Sequence, residues 1–326
     1  MFASQYPEGQ NQIMKELKQL SALSYKHCFE PFKIILMQND TMIRPLIGIG
    51  IMLFSGLAFS AALLNAVVAI QGGVDLNTSN AIRYLIAAIV IFVYHKIMKR
   101  PITLPPLERF TSLALGILVF MMGIGYLGAT LYIPVSLAVL IFYTAPFLVF
   151  IISRFTEKEP FTLMRLTAFS IAFLGLSLAI GVQIPGGLDI KGVLFAFIGA
   201  ASLAIFVTIS SLTIRTADPQ AVNLHALSSG ALLFLCFCLL TEGFVNSLTQ
   251  GGLLWLSSSG IILGIAYITF YIGLKIVGPV KASMIMNVEP IFTIALSVAL
   301  LGEQFSFIQF FGAGLVIIGI FMITYK

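Results

Sequence analysis

Ten long apolar runs account for most of this 326-residue chain, and they constrain its fold more than any other feature. A run of about 17–25 apolar residues is long enough to cross a bilayer as a helix. The sequence therefore predicts an all-α integral membrane protein with ten transmembrane helices. The predicted spans cover residues 45–70, 80–97, 110–131, 135–154, 162–182, 191–213, 221–241, 252–274, 279–301 and 307–325.

Composition and the placement of charge support a membrane class. The chain is 59% hydrophobic and 10% charged, whereas a soluble domain is about 25% charged. With a cytoplasmic N-terminus, 16 of the 18 Lys and Arg residues fall on the inner side, and only Arg83 and Lys191 fall on the outer side. Cytoplasmic loops carry such an excess. We therefore predict a multi-pass protein of the cytoplasmic (inner) membrane with both termini cytoplasmic, whose partner is the lipid bilayer and not nucleic acid.

A single shift of the sequence against itself, which pairs Pro146 with Pro290, brings the two halves of the chain into register. The stretch "SLAVLIFYTAPFLVFIISRFTEKEPFT" then aligns with "VKASMIMNVEPIFTIALSVALLGEQFS" without a gap. Further along, this repeat shift pairs Gly175 with Gly319. Each half contains five spans, and because five is odd the second half must cross the membrane in the opposite direction. The sequence thus predicts two inverted five-helix repeats, an arrangement that places a solute site near the midplane of secondary transporters.

The repeats set the expected domain bounds. The first repeat is predicted at residues 44–185 and the second at residues 186–326. Residues 1–43 are polar and mixed in charge. They are interpreted either as a cytoplasmic N-terminal extension or as the product of a mis-assigned start.

The repeat ends resemble a known family. The stretches "PFLVF…EKEPFT" and "EPIFT…LLGEQFS" are similar to the corresponding parts of the drug/metabolite transporter (DMT) superfamily, specifically its EamA-like transporters. The resemblance covers about residues 44–325, although the first copy has "TEKE" where the family commonly has a small-Gly-Glu corner. It implies export or exchange of small metabolites such as amino acids. Sugars, nucleotide derivatives and amphipathic toxins are the other solutes that it allows.

Glu289 stands out because it is the only one of 13 acids predicted to lie in the middle of a span. An ionised side chain at the bilayer centre costs about 2.5–3.5 kcal/mol on insertion. Burial favours its neutral form, which suits a group that gains and loses protons near neutral pH. Glu289 is therefore the leading candidate for binding a proton, a cation or a substrate ammonium group. The alternative is that neutral Glu289 hydrogen-bonds a neighbouring helix and only stiffens the bundle.

The residues around Glu289 and its repeat partner are further candidates. Pro146 and Pro290 lack the backbone N–H that continues a helix, so both are predicted to break their spans and to act as hinges. Asn287 and its repeat partner Tyr143 are predicted substrate contacts. Alternatively, Asn287 makes an interhelical hydrogen bond and Tyr143 packs between helices.

Four other side chains complete the candidate set. Arg83 is expected either to bind a substrate carboxylate at an outer vestibule or to extend to lipid headgroups. His225 is expected either to relay protons or to be a capped histidine near the inner face. Tyr267 and Tyr271 lie one turn apart and could face a cavity and stack on a flat or apolar solute.

The competing functions are an exchanger of lipophilic cations (drugs), sugars or nucleotides and, less favoured, a membrane enzyme. An enzyme would need a cluster of catalytic groups, whereas this chain has three widely spaced histidines and no nucleotide-binding motif. We therefore predict that it is not an enzyme and that it uses no cofactor and no metal. We expect a small-molecule substrate. The sequence leaves both proton coupling and a homodimer open.

Overall fold

The computed structural model describes residues 43–133, 135–156, 162–181, 189–240, 250–301 and 306–324, and every regular element in these ranges is a helix. The predicted N-terminal extension up to residue 42 lies outside them. Residues 48–326 form one unit, and residues 1–47 form another of which only the start of α1 is described. The helices are α1 Ile43–Gln71, α2 Leu76–Ile97, α3 Pro106–Thr130, α4 Val135–Phe142, α5 Ala145–Thr156, α6 Leu163–Ile180, α7 Ile190–Thr213, α8 Pro219–Leu240, α9 Gln250–Met286, α10 Glu289–Leu301 and α11 Phe307–Thr324.

Eight helices in the described ranges are long and apolar enough to cross a membrane, and Phe307–Ile323 is a shorter apolar helix. The eight include α4 and α5 counted together as one crossing, and with the shorter helix they account for nine of the ten predicted spans. The remaining difference comes from the way in which the eighth and ninth spans are built. The eighth span and the start of the ninth are joined in α9, which kinks at Gly278 (φ 77°, ψ 170°) ahead of Pro279. The rest of the ninth span is α10, which has only 13 residues. The prediction of an all-helical, multi-pass membrane protein is confirmed.

Large apolar side chains cover the outside of the protein, and small side chains fill its interior. Leu131, Phe155 and Phe307 are each at least 80% exposed, as expected for surfaces that meet lipid. Alanines and serines, by contrast, dominate the buried helix faces, among them Ala172 and Ser55. Because lipid tails are as apolar as leucine, membrane helices gain stability mainly from close packing between small residues and from hydrogen bonds between helices.

Contacts between the two halves are reciprocal. A Cβ atom on Gly48 would come within 2.6 Å of the Ile276 side chain. The repeat shift carries Gly48 to Gly192 and relates Ile276 to Tyr132 in the first half. A Cβ on Gly192 would indeed come within 2.9 Å of Tyr132. A contact that recurs when its two partners exchange halves requires a two-fold axis between those halves.

Two further helix pairs, α3 with α8 and α9 with α2, are also related by the repeat shift. A Cβ on Gly116 of α3 would meet the backbone N of Gly230 in α8 at 2.6 Å, and one on Gly260 of α9 would meet Ile86 of α2 at 2.6 Å. The last helices of the halves, α6 and α11, pack directly against each other through small residues. The predicted repeat is therefore present in the packing as well as in the sequence.

An exposed ion pair joins the two halves at the end of α2. Arg100 Nη1 lies 3.1 Å from Asp218 Oδ2, and Asp218 Oδ1 also accepts hydrogen bonds from the backbone N–H groups of Gln220 and Ala221 at the start of α8. We expect Arg100→Ala to lower the free energy of unfolding by less than about 1 kcal/mol, because an exposed pair contributes little. Asp218→Ala should cost about 1 kcal/mol more, because it also removes the helix cap. Thermal unfolding of both variants in detergent measures the difference, and equal shifts would contradict the capping role.

Candidate functional site

Two helices break at equivalent positions in the two repeats. The first break, at Tyr143 and Thr144, separates α4 from α5, and the second, at Asn287 and Val288, separates α9 from α10. The repeat shift carries the first pair of residues onto the second. In both breaks the second residue donates its backbone N–H three residues back, from Thr144 to Ile141 and from Val288 to Ile285, each at 3.0 Å.

The prolines account for these breaks. Pro146 and Pro290 stand second in α5 and α10, where the missing N–H and the ring prevent the preceding helix from continuing. The predicted helix breaks are thus present at both prolines. Interrupted backbone at membrane depth is tolerated only where it is buried in protein or lines a cavity. The breaks therefore indicate a site near the centre of the bundle.

Glu289 begins α10 immediately after the second break, and its carboxyl group is surrounded by groups from the first repeat. The Tyr143 hydroxyl donates a hydrogen bond to this carboxyl, and the Arg83 guanidinium is close enough to interact with it electrostatically. The backbone carbonyl of Glu289 accepts a hydrogen bond from Ser60 Oγ at 2.7 Å. α1, α2 and the first helix break thus all supply partners to this one residue.

Arg83 is turned toward the interior of the bundle. Its guanidinium interacts electrostatically with Tyr84 and Tyr267 as well as with Glu289, and its Nε atom is buried without a hydrogen-bond partner among the described residues. This placement differs from the expected contact with lipid headgroups, while binding of a substrate carboxylate stays a prediction. The reason is that Arg83 shares α2 with Tyr84, whose ring stacks on Phe234 of α8 at 5.4 Å and so fixes that face of α2 against the core.

The two tyrosines of α9 have different surroundings. Tyr267 belongs to the site, because it hydrogen-bonds Tyr84 and its ring lies 4.9 Å from Phe59, edge to face. Tyr271 is fully buried, and its hydroxyl lies 3.1 Å from Ser210 Oγ. Phe206 and Phe270 pack around its ring. Its contacts are those of a core residue between α7 and α9.

His225 lies in a different part of the molecule. Its Nδ1 atom is 2.8 Å from the Ala221 carbonyl oxygen, and the side chain lines a groove of about 420 Å³ together with Leu85, Ile89 and Phe92. None of the contacts described for His225 reaches Glu289. The structure thus brings Glu289, Tyr143, Arg83 and Tyr267 together and leaves His225 apart from them.

Asn287 and Tyr143, the equivalent residues of the two repeats, line one cavity. Its volume is about 210 Å³, and the other lining residues come from α5, α6 and the first break. Asn287 is 4% exposed, and its Oδ1 atom is buried without a hydrogen-bond partner among the described residues. The Nδ2 atom of the same residue reaches only Met284 Sδ, at 3.8 Å.

Sequence reasoning did not single out two residues that contribute to the site. Tyr84 follows Arg83 directly and connects it to Tyr267, and Ser60 binds the Glu289 carbonyl. The sequence could have indicated Tyr84, because it follows Arg83 near the start of a predicted span. It could not have indicated Ser60, because a single serine within an apolar helix does not by itself point to a site. In the described part of the chain, no three His, Cys, Asp or Glu side chains come together as metal ligands would.

Comparison with known families agrees with this arrangement. Two stretches of the chain, residues 46–181 and residues 190–325, match the profile described as the EamA-like transporter family. The repeat shift that pairs Pro146 with Pro290 also carries the first match onto the second, at its beginning and at its end. The two matches together cover well over half of the chain.

Several curated relatives have names that describe transporters. The chain is 25% identical over 193 residues to the uncharacterized transporter YxxF of Bacillus subtilis (strain 168), and this match covers 57% of this chain and 60% of YxxF, less than two thirds of that relative. It is 24% identical over 255 residues to the uncharacterized transporter YoaV of the same organism, covering 76% of this chain and 86% of YoaV. An uncharacterized transporter of Archaeoglobus fulgidus is 26% identical over 200 residues, or 60% of this chain and 70% of that protein.

One solved crystal structure shares the fold. It superposes with a TM-score of 0.72 at 20% sequence identity, and the match covers 84% of this chain and 95% of that chain. At this identity the likeness concerns the fold alone.

Proposed function

The chain belongs to the EamA-like transporter family, and from this premise we propose that it is a secondary active exporter of small organic solutes that carry an ammonium group, such as amino acids. The observation that carries the proposal is the position of Glu289. It is an acid at a helix break, faced by the Tyr143 hydroxyl and the Arg83 guanidinium from the other repeat. A membrane transporter that is not an enzyme agrees with the family and with the names of the relatives.

The proposed architecture has ten spans in two inverted repeats, at residues 44–185 and 186–326. The reciprocal contacts support a two-fold axis, and the odd number of spans in each half requires that axis to lie in the membrane plane. Placement in the cytoplasmic membrane with both termini inside follows from the distribution of Lys and Arg. The proposal does not require a homodimer, because one chain supplies every residue of the site.

The proposed cycle uses Glu289 in two protonation states. In the ionised state, the carboxylate binds a substrate ammonium group, and the Tyr143 hydroxyl keeps it oriented. A proton then replaces the ammonium group, and the protein with neutral Glu289 returns to the inward-open state. Because only one of these two cations occupies the carboxylate at a time, solute export is coupled to proton entry.

Pro146 and Pro290 serve in this proposal as the hinges between the outward-open and inward-open states. The helices on either side of each break lack continuous hydrogen bonds, so α5 and α10 can tilt relative to α4 and α9 at little cost. Because a two-fold axis relates the repeats, the outward-open and inward-open states differ in which repeat adopts which conformation.

A liposome assay tests the function. Purified protein is reconstituted with a trapped pH dye, and proton flux is recorded as amino acids, sugars and lipophilic cations are added in turn. Flux with ammonium-bearing solutes supports the proposal. Flux with sugars alone would contradict it, and so would solute movement without proton flux in every class.

Arg83 distinguishes two substrate classes. An amino acid has a carboxylate that the guanidinium can bind, whereas a lipophilic amine does not and would rely on the Tyr84, Tyr267 and Phe59 rings. If the substrate is an amino acid, we expect Arg83→Gln to weaken its transport by about tenfold or more, because a hydrogen-bonded charge contributes about 1.5–3 kcal/mol. Transport of the corresponding decarboxylated amine should change much less.

The opposite pattern in this comparison would favour the exchanger of lipophilic cations. In that pattern, Arg83→Gln transports the amine as well as the wild-type protein does, or better, and the wild-type protein transports no amino acid. Arg83→Lys is the matched control, since it keeps the charge and removes the planar fork.

A further inference from the structure

The cavity of about 210 Å³ beside the helix breaks opens on the side of the bundle. Phe147 of α5 and Phe173 of α6 lie at its rim and are 39% and 38% exposed. Ser170 of α6, also at the rim, is exposed. Their outward-facing neighbours are apolar, among them Ile151 and Leu174. This surface faces the acyl chains of the bilayer and not the water phase.

The depth of the cavity supports this orientation. Tyr143 lies eight residues after the start of α4 and thirteen before the end of α5, so at 1.5 Å per residue it is roughly 12 Å and 20 Å from the two ends. The hydrocarbon core of a bilayer is about 30 Å thick. The mouth of the cavity therefore opens in the hydrocarbon region.

The inner wall of the cavity is polar. Asn287 Oδ1 is a buried acceptor without a partner among the described residues, and such a group is costly unless something donates to it. Tyr143 lines the same wall, and its hydroxyl is bound to the Glu289 carboxyl, which brings an acidic group next to the cavity. The apolar part of the lining includes the Phe147, Phe169 and Phe173 rings.

We propose that this cavity is a lateral binding site that receives a small amphipathic primary amine from the hydrocarbon region of the bilayer. The ammonium group donates to Asn287 Oδ1 near the Glu289 carboxyl, and the apolar part lies against the three phenylalanine rings. An anionic head group does not suit this wall, because the neighbouring Glu289 carboxyl is acidic and the donor that Asn287 offers, Nδ2, is already placed 3.8 Å from Met284 Sδ. The volume restricts the ligand to a short, unbranched amine such as a hexylamine, since it is below the roughly 300 Å³ of common ligand pockets.

This inference rests on the proposed function in one respect, the binding of an ammonium group beside Glu289, and adds the route by which an apolar amine arrives. Solutes dissolved in water would reach the site along the axis of the bundle. An amine that partitions into lipid would reach it through the gap between α5 and α6.

A binding assay independent of transport tests the lateral site. Trp255 is the only tryptophan, so Trp255→Phe gives a silent background into which Phe173→Trp places one fluorophore at the rim. The probe is 6-bromohexylamine, whose bromine quenches a nearby indole, with n-hexylamine as competitor. Leu174→Trp, at a 60% exposed position that does not line the cavity, is the control reporter. We expect saturable quenching that n-hexylamine reverses with Phe173→Trp, and only linear, unsaturable quenching with Leu174→Trp.

Two substitutions in the reporter background test the head group and the entrance. Asn287→Leu keeps the shape and removes the acceptor, so saturable binding should weaken about tenfold or more. Ser170→Phe narrows the mouth and should slow the onset of quenching by a similar factor. Ser177→Phe is its matched control, because Ser170 and Ser177 both donate to the carbonyl four residues back, at 3.0 and 2.8 Å, and only Ser170 lines the cavity.

The chemistry of the probe gives a second test that needs no site substitution. Hexyltrimethylammonium has the same charge and chain length as n-hexylamine but no N–H donor, so it should compete about tenfold less well. Equal competition, identical quenching of the two reporters, or unchanged binding in Asn287→Leu would each overturn the lateral site.

These outcomes separate the lateral site from the transport function. Proton-coupled flux of water-soluble solutes without saturable quenching would reject the lateral site and leave the proposed function standing. Saturable quenching without any proton flux would keep the lateral site and reject the coupling proposed for Glu289.

Discussion

Glu289→Gln is expected to abolish proton-coupled transport while the protein still inserts and folds. The amide keeps the size of the side chain and can still accept from the Tyr143 hydroxyl, so the packing around α10 should survive. It cannot gain or lose a proton, however, and it offers no negative charge to an ammonium group. Loss of a charged hydrogen-bonding partner costs about 1.5–3 kcal/mol, which corresponds to roughly a 10- to 100-fold fall in substrate affinity.

The measurement is the liposome assay with a trapped pH dye, applied to wild type and variant at matched protein density. Glu108→Gln is the control, because it removes one carboxylate at the start of α3, where Glu108 accepts from Thr216 Oγ1 at 3.1 Å. We expect the control to transport normally. Normal pH-driven flux in Glu289→Gln would leave Glu289 only the structural role of joining α10 to its neighbours.

Gly312→Val is expected to destabilise the protein more than any other single change considered for it. α6 and α11 approach so closely that a Cβ on Gly312 would lie 2.5 Å from the Gly175 carbonyl oxygen and would also clash with the backbone of Ala179. Backbone atoms cannot move aside as a flexible side chain can. The two helices must therefore separate, and such overpacking costs about 1–3 kcal/mol or more.

Gly314→Val is the matched control for this prediction. Gly314 lies two residues further along α11, and a Cβ there would meet nothing within 4 Å. Both substitutions change helix propensity equally, so the difference between them isolates the packing term. Thermal unfolding in detergent should show a large loss for Gly312→Val and a small change for Gly314→Val. Similar values for the two would mean that the α6–α11 contact contributes little to stability.

The membrane class, the repeat and both helix breaks could be predicted because each depends on a local pattern. Apolar runs of the right length require helices in lipid, since no water is present to bind the backbone groups. A gapless alignment of the two halves implies equivalent structure, and the matching breaks before Pro146 and Pro290 follow from the proline ring. None of these features depends on which helices are neighbours.

The count of helices was harder to predict for a physical reason. Hydropathy detects apolar length and not backbone continuity, so it separated α9 into two spans at residues 274 and 279 and joined the second of these to α10. The backbone instead bends at Gly278, where a positive φ is available, and breaks later at Asn287. A glycine within an apolar stretch does not by itself indicate such a bend.

The sequence by itself determined that this chain is helical, that it crosses a membrane, that it is built twice, and that one acid lies within its apolar part. Only the tertiary structure decided what surrounds that acid. It turned Arg83 inward beside Tyr84, joined Tyr143 to Glu289 across the two repeats, and placed Tyr271 in the core and His225 in another groove. The physical reason is that the orientation of a side chain depends on which helices pack against its own, and in a chain that is apolar on every face the hydrophobic pattern does not specify that choice.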